Sequence, residues 1–478
     1  MLCFAGIPDE VFICYRTVKG RKDFMAKSSE MKQNRMGTAK MLPLILKMAL
    51  PAMFSMLVQS LYNIVDSYFV AQISQDALTA VSLAFPVQNL QVAFGVGTAV
   101  GISSLISRRL GEQDLQAANQ AATHGIVLSA ITSLLFAVMG ALLSKPFLLL
   151  YTNDATVLEM GQIYLTIVTT CSFGFFLSNC MEKMLQATGN MIMPMLLQLF
   201  GAVSNIILDP IMIYGLLGFP AMGIAGAAIA TVSGQILSMI ACFLVFFLQK
   251  HAVSIGLKGF RFNWMTVRSI YVVGAPAIVM NAIGTVMSMA MNGILAAFSA
   301  TAVNVFGVYF KLQSFVFMPV FGLTQGLMPI MGYNYGARNK ARVLSALRNG
   351  AAIALIIMTA GLIAFETVPG WMLSIFNPTP ELLEIGIPAL RIIATIFPIA
   401  AVGITMSTLF QAAGNGTYSL IQSVLRQLAA LVPAAWLLSK ISLGAVWLAF
   451  PIAEGISLVV TIVLFVRLYN KDIRHLGE

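Results

Sequence analysis

Charge is what this chain has least of: 10% of its 478 residues are Asp, Glu, Lys or Arg, against about 25% in soluble domains. That scarcity excludes most water-soluble enzymes and any disordered chain. The five cysteines form no CxxC pair and no Cys/His cluster, so neither a disulfide framework nor a zinc site is expected. His124, His251 and His475 are too scattered for HExxH or a haem pair. No GxxxxGK[ST] is present, so the chain carries no nucleotide site of its own. Any work it does must draw on an ion gradient or a partner. No apolar run near the N-terminus is long enough for a signal peptide, because Asp9 and Glu10 interrupt the one candidate. No cofactor, no enzymatic activity and no nucleic-acid partner are expected.

Apolar sequence is abundant instead, at 59% of residues with a mean hydropathy of +0.87. A bilayer-spanning helix needs about 20 mostly apolar residues, and twelve spans fit. They read at 41–70, 77–107, 117–145, 156–187, 192–217, 221–249, 264–298, 303–333, 340–369, 381–413, 418–439 and 443–468. The expected fold is therefore an all-α integral membrane protein. With the N-terminus in the cytoplasm, 21 of the 28 Lys/Arg fall on that side and only Lys145 and Lys440 in the opposite loops, as the positive-inside rule requires. Both termini are then cytoplasmic. Residues 1–40 hold eight Lys/Arg and read as a basic leader. It is either a disordered arm or a stretch upstream of a start at Met25, Met31 or Met36.

Sliding the sequence by 225 residues aligns 51–190 with 276–415 without a gap, and six of the nine glycines in the first segment meet a glycine in the second. The pairs are Gly97/Gly322, Gly101/Gly326, Gly111/Gly336, Gly125/Gly350, Gly161/Gly386 and Gly189/Gly414; chance would give about one. Glycine recurs where close helix contact or a tight turn leaves no room for Cβ, and Gly97-xxx-Gly101 reads as a packing motif. The chain divides into an N-terminal lobe at 41–249, a linker at 250–263, a C-terminal lobe at 264–468 and a tail at 469–478. Six spans per half give two parallel repeats, with the natural substrate site in a central cavity between them.

Four acids lie well inside spans: Asp66, Glu182, Asp209 and Glu454. An intramembrane carboxylate costs about 2.5–3.5 kcal/mol on insertion scales and is a functional candidate by default. Asp66 shares a helix face with Gln59 and Asn63, and Asp209 shares one with Gln198 and Asn205. Two polar stripes in one apolar lobe suggest a cavity for a proton or a hard cation. Carboxylate and amide oxygens at Asp66, Asn205 and Asp209 suit Na⁺ as well as H⁺. Unrelated helix–helix hydrogen bonds are the plainer alternative. Glu182, with Asn179 and Gln186 on its face and Lys183 beside it, fits either substrate contact or an ion pair. Glu454 has no companion stripe, and a structural role is favoured. Lys311 is a counter-ion candidate or a snorkelling base. Asn281, Ser288 and Asn292 form a cavity-lining face on the seventh span.

The chain resembles the multidrug and toxic compound extrusion (MATE) family from residue 41 onward, looking most like its bacterial DinF-like and MepA-like branch. The resemblance rests on Leu50-Pro51, Asn63-Ile-Val-Asp66, the segment from Gly97 to Arg109-Leu-Gly111, Gln186-Ala-Thr-Gly-Asn190, Asn205-Ile-Ile-Leu-Asp209-Pro210 and Gly223-Ile-Ala-Gly226-Ala-Ala-Ile-Ala-Thr231. It implies export of cationic or amphiphilic drugs in antiport with H⁺ or Na⁺, by a monomer in the bacterial cell membrane. Antibiotic resistance would follow. The family's cation site maps onto Asp66, Asn205, Asp209 and Thr231, the last from the resemblance alone. A sister branch carries an acid on its seventh helix, where this chain offers Asn281 and Gly284. The alternative function is a flippase for a lipid-linked saccharide precursor. That would call for a strongly cationic cavity, whereas Lys47, Lys183, Lys311, Arg391 and Arg426 are scattered.

Overall fold

The computed structural model describes residues 35–249, 251–256, 260–376 and 378–477, without the side chains of Asn63, Ile64, Ser67 and Tyr68. The long helices are α1 (Met41–Ala71), α2 (Gln75–Gly111), α3 (Leu115–Leu148), α4 (Ala155–Thr170), α5 (Phe173–Ala187), α6 (Ile192–Tyr214) and α7 (Gly223–Leu248) in the first half. The second half follows with α8 (Trp264–Ala296), α9 (Ala300–Gly336), α10 (Lys340–Thr367), α11 (Pro380–Ala394), α12 (Phe397–Ala412), α13 (Gly416–Val424), α14 (Val432–Leu438) and α15 (Ala449–Lys471). Among the described residues ten segments are long and apolar enough to cross a membrane, and twelve when each of two bent pairs counts as one span.

The sequence repeat is a structural one down to the helix starts. Ser74, Asp114 and Asp154 cap α2, α3 and α4 by accepting backbone N–H groups, and Ser299, Asn339 and Thr379, each 225 residues on, cap α9, α10 and α11. A short polar side chain does this because the first turn of a helix has unpaired N–H donors. The Gln-Ala-Thr-Gly-Asn and Gln-Ala-Ala-Gly-Asn segments close α5 and α12. Gly189 (φ +90°) and Gly414 (φ +85°) turn left-handed. Asn190 and Asn415 then donate back to the carbonyls of Leu185 and Phe410 at 3.1 and 2.8 Å, the six-to-one bond of a Schellman end.

Two expected spans are broken. The span at 156–187 bends by 42° between α4 and α5, and that at 381–413 by 48° between α11 and α12. The breaks are repeat-related, since Cys171 and Ile396 lie 225 apart. In the second, Pro398 removes an N–H from the start of α12. In the first, Gly174 brings α5 against the α7 backbone, where a Cβ would lie 2.9 Å from the Ile236 nitrogen.

The lobes meet along paired glycine contacts at the end where α2 and α9 finish. Gly97 abuts Ile278 of α8, and Gly322 abuts Met53 of α1. Gly101 meets the Ile270 carbonyl and Gly274; Gly326 meets Met48 and Ala49. Gly111 sits on the carbonyl of Tyr333, and Gly336 on that of Arg108. The partners obey the repeat as well, because Met53/Ile278, Ala49/Gly274 and Arg108/Tyr333 are each 225 apart. Ser104 adds a 2.6 Å hydrogen bond to the Gln411 carbonyl across the seam.

Two segments outside the lobes are held in place by hydrogen bonds. Residues 35–40 are not part of a loose leader: Arg35–Thr38 forms a helical turn whose Met36 side chain is buried. Arg342 donates to the carbonyls of Met36 and Ala39, both at 2.9 Å, and Asn334 also donates to Met36. The rest of the leader, with Met25 and Met31, lies outside the described residues. The linker is pinned rather than free. Ser254 donates to Asn119 at 2.7 Å, and Asn263 donates to His124 at 2.8 Å. Lys250 and Lys258 of that linker lie outside the described residues.

Candidate functional site

Asp209 and Asn205 stand one helical turn apart on α6, so their side chains stack on the face turned to α7. Glycine sets how near α7 comes. Gly226 lies on the Met212 carbonyl, and a Cβ on Gly234 would sit 2.8 Å from the Gly201 carbonyl oxygen and 3.1 Å from Asn205 Cβ. That approach delivers Thr231. With the Asn205 amide oriented by its hydrogen bonds, its nitrogen donates to Asp209 at 3.0 Å and its oxygen accepts from the Thr231 backbone N–H at 3.0 Å. Asp209, Asn205 and Thr231 are 0%, 2% and 7% exposed. Pro210 next to Asp209 withdraws one backbone N–H and frees the carbonyl of Ile206.

The α1 face closes the site. Tyr62 lies near Thr231 and within electrostatic reach of Asp66 and Asp209. The two carboxylates also act on each other. Tyr164 of α4, buried and held at 3.1 Å by Gln88, faces both acids. The three ion pairs among the described residues involve neither Asp66 nor Asp209. The buried Asp209 and the half-buried Asp66 thus lie within electrostatic reach of each other and of two phenols, with no ion-paired base among the described residues. Among the described residues, no group of three or more His, Cys, Asp or Glu could hold a metal ion.

The remaining expected residues divide. Gln198 does not join Asp209. It donates to Glu182 at 2.7 Å, because eleven residues along a helix is about 16 Å of axial rise. Ser238 lies near Glu182 and donates to the Leu197 carbonyl at 3.2 Å. Lys183 turns away from Glu182 and donates to Gln186 at 2.8 Å and to Gln325 of the other lobe at 2.7 Å. Gln59 is exposed on α1, and the Asn63 side chain lies outside the described residues.

In the second lobe, Asn281, Ser288 and Asn292 are not among the residues lining that lobe's cavity. Asn281 and Asn292 are exposed and Ser288 is half-buried. The cavity of about 320 Å³ is instead lined from α8 by Gly284 and Met287. Lys311 is exposed, its ammonium 5.7 Å from the Phe376 ring centroid, and it is not among the lining residues. The charged groups there are Arg426 and Glu454, 3.7 Å apart. Sequence reasoning had set both aside. The one available signal was that each is an ionisable residue inside a span.

A family described as MatE matches residues 51–211 and again 276–437. The probable multidrug resistance protein NorM of Thermotoga maritima is 26% identical over 83% of this chain and 85% of its own length. The multidrug export protein MepA of Staphylococcus haemolyticus is 25% identical over 88% and 93%. A FAD transporter of Shewanella oneidensis is 25% identical over 86% and 91%. Among solved structures, an outward-facing multidrug resistance MATE transporter superposes with a TM-score of 0.86 at 25% identity, covering 93% of this chain and 99% of that one.

Proposed function

The chain belongs to the MatE family, and on that premise we propose that it is a secondary active multidrug efflux transporter, coupled to inward H⁺ or Na⁺. Its cargo is cationic or amphiphilic small molecules, and it sits in a bacterial cell membrane as a monomer with both termini cytoplasmic. The observation that carries the coupling is the pocket holding Asp66 and Asp209 without a paired base. Two carboxylates removed from water repel one another and lose solvation, so the empty, doubly charged pocket is costly. A proton or Na⁺ relieves both terms. An incoming cationic drug relieves them equally well, which makes ion and drug competitors.

Competition becomes transport if each ligand favours a different conformation. Only a difference in affinity between the two states moves their equilibrium. The glycine seam closes the end where α2 and α9 finish, and with that end cytoplasmic the lobes are in the outward-facing arrangement. The bases argue against the flippase: Arg426 is paired with Glu454, Lys183 with two glutamines, and Lys47 and Lys311 are exposed.

The test is dye efflux from proteoliposomes under separately imposed pH and Na⁺ gradients, with Asp66→Asn and Asp209→Asn reconstituted at matched density. Each substitution is expected to lower gradient-driven efflux by about tenfold or more. Wild-type efflux that ignores both gradients, or full activity in both variants, would overturn the coupling.

A further inference from the structure

We propose that the cavity of the second lobe binds an aromatic zwitterion, whose carboxylate takes the place of Glu454 at Arg426 while its ammonium takes the place of Arg426 at Glu454. This rests on the exporter reading for its purpose, since it names a substrate class, but it is read out by equilibrium binding alone.

The pair is built to be opened. Arg426 and Glu454 stand 3.7 Å apart, with side chains 28% and 6% exposed. A closed, charge-assisted Arg–carboxylate contact is shorter, about 2.7–2.9 Å, and often two-pronged. The attraction is therefore mainly electrostatic, with guanidinium donors left for another acceptor. Local backbone aims them. Residues Leu425–Leu431 form a π-helical turn, which places one extra residue per turn and occurs frequently at functional sites. Both Arg426 and its neighbour Gln427 line the cavity as a result. The counterpart helix of the first lobe, α6, is regular α-helix throughout.

Charge balance selects the ligand. Arg426 and Glu454 are the charged residues lining the cavity, so it is neutral as it stands. A monocation that took Glu454 would leave the half-buried Arg426 without a counter-charge; a monoanion at Arg426 would strand the buried Glu454. Breaking a buried pair from one side is the expensive case. A zwitterion exchanges both partners at once. The remaining wall, Tyr309, Phe310, Phe317 and Phe450, supplies aromatic faces for a ring. The first lobe holds the opposite arrangement, with acids and no paired base.

The test uses the full-length protein in detergent and four fluorescent probes: Nε-dansyl-lysine, its methyl ester, its Nα-acetyl derivative, and the doubly blocked form. They are the zwitterion, the cation, the anion and the neutral molecule on one ring. The zwitterion is expected to bind roughly 10–100-fold tighter than the cation or anion, the discrimination expected when one buried charge is left unpaired. Arg426→Met should move the preference to the cation, and Glu454→Gln to the anion. A variant that merely packs poorly would weaken all four probes alike. The double variant Arg426→Met/Glu454→Met restores neutrality and should bind the neutral probe best. Wild-type affinities within about threefold of one another, or single variants that keep the wild-type order, would overturn the proposal. Loss of gradient coupling in Asp209→Asn would leave it untouched, and failure of the probe series would leave the exporter reading untouched.

Discussion

Replacing Gly101 or Gly326 by leucine should pry the lobes apart at the seam. A Cβ on Gly326 lies 2.9 Å from the Ala49 nitrogen and 3.0 Å from its Cα. A Cβ on Gly101 lies 3.0 Å from Gly274 Cα and closer still to the Ile270 carbonyl. Ordinary carbon contacts are about 3.5–4 Å, and the obstructing atoms are backbone, which cannot rotate away. Overpacking of this kind typically costs about 1–3 kcal/mol. At 1.4 kcal/mol per factor of ten, the equilibrium moves by roughly 5–150-fold toward the state with the seam open. The two substitutions act on repeat-related halves of one interface, so they should have similar effects. Together they should fall short of the sum, because a seam already opened cannot be opened twice. Spin labels at Gln116 and Ala341, exposed positions near the starts of α3 and α10, report the separation by pulsed electron resonance. A long-distance population that grows in either variant is the expected result. Unchanged distances in both folded variants would refute the idea that these glycines hold the seam shut.

Other substitutions test separate contacts. Gln198→Leu removes the 2.7 Å donor from buried Glu182 and should cost about 1.5–3 kcal/mol, seen as a lower thermal midpoint in detergent with the fold retained. Arg342→Met deletes the guanidinium bonds to the carbonyls of Met36 and Ala39. Hydrogen exchange across residues 35–40 should then accelerate by roughly 10–100-fold. Lys183→Met removes the cross-lobe bond to Gln325, so the same spin-label pair should show a smaller shift toward the open seam. Glu366→Gln breaks a 3.8 Å pair with Arg391 whose side chains are 42% and 50% exposed; stability should stay within about 0.5 kcal/mol.

What was legible in the sequence was whatever a single residue type dictates locally and the repeat then doubles. Caps need a short polar side chain, left-handed turns need glycine, and helix crossings need no Cβ; each leaves the same letter 225 positions on, as at Gly189/Gly414. Asn205 and Asp209 were legible because a separation of four residues is one helical turn. Position along or around a helix to better than a turn is not written in residue spacing. Gln198 shares the Asp209 face but reaches Glu182, and the second-lobe cavity is lined by Gly284 and Met287 rather than by Asn281, Ser288 and Asn292. Arg426 and Glu454 lie on different helices, and the π-helical turn that aims Arg426 leaves no periodic signature.

The repeat explains why charge placement, and not the scaffold, sets what each lobe does. A symmetric frame of capped helices and paired glycines gives two lobes that meet face to face along one seam. Such a seam can open only if its two halves release together, because each half holds the other's geometry. Function then needs an asymmetry to bias that motion. In this chain, Asp66 is answered across the repeat by the apolar Met291. The second lobe has its own charges at Arg426 and Glu454, which cancel. An ion entering the first lobe therefore changes the net charge of a dry pocket, whereas a zwitterion entering the second changes none. On the coupling proposed above, only the first event carries a large electrostatic free energy, which is the reason for assigning the gradient to the first lobe.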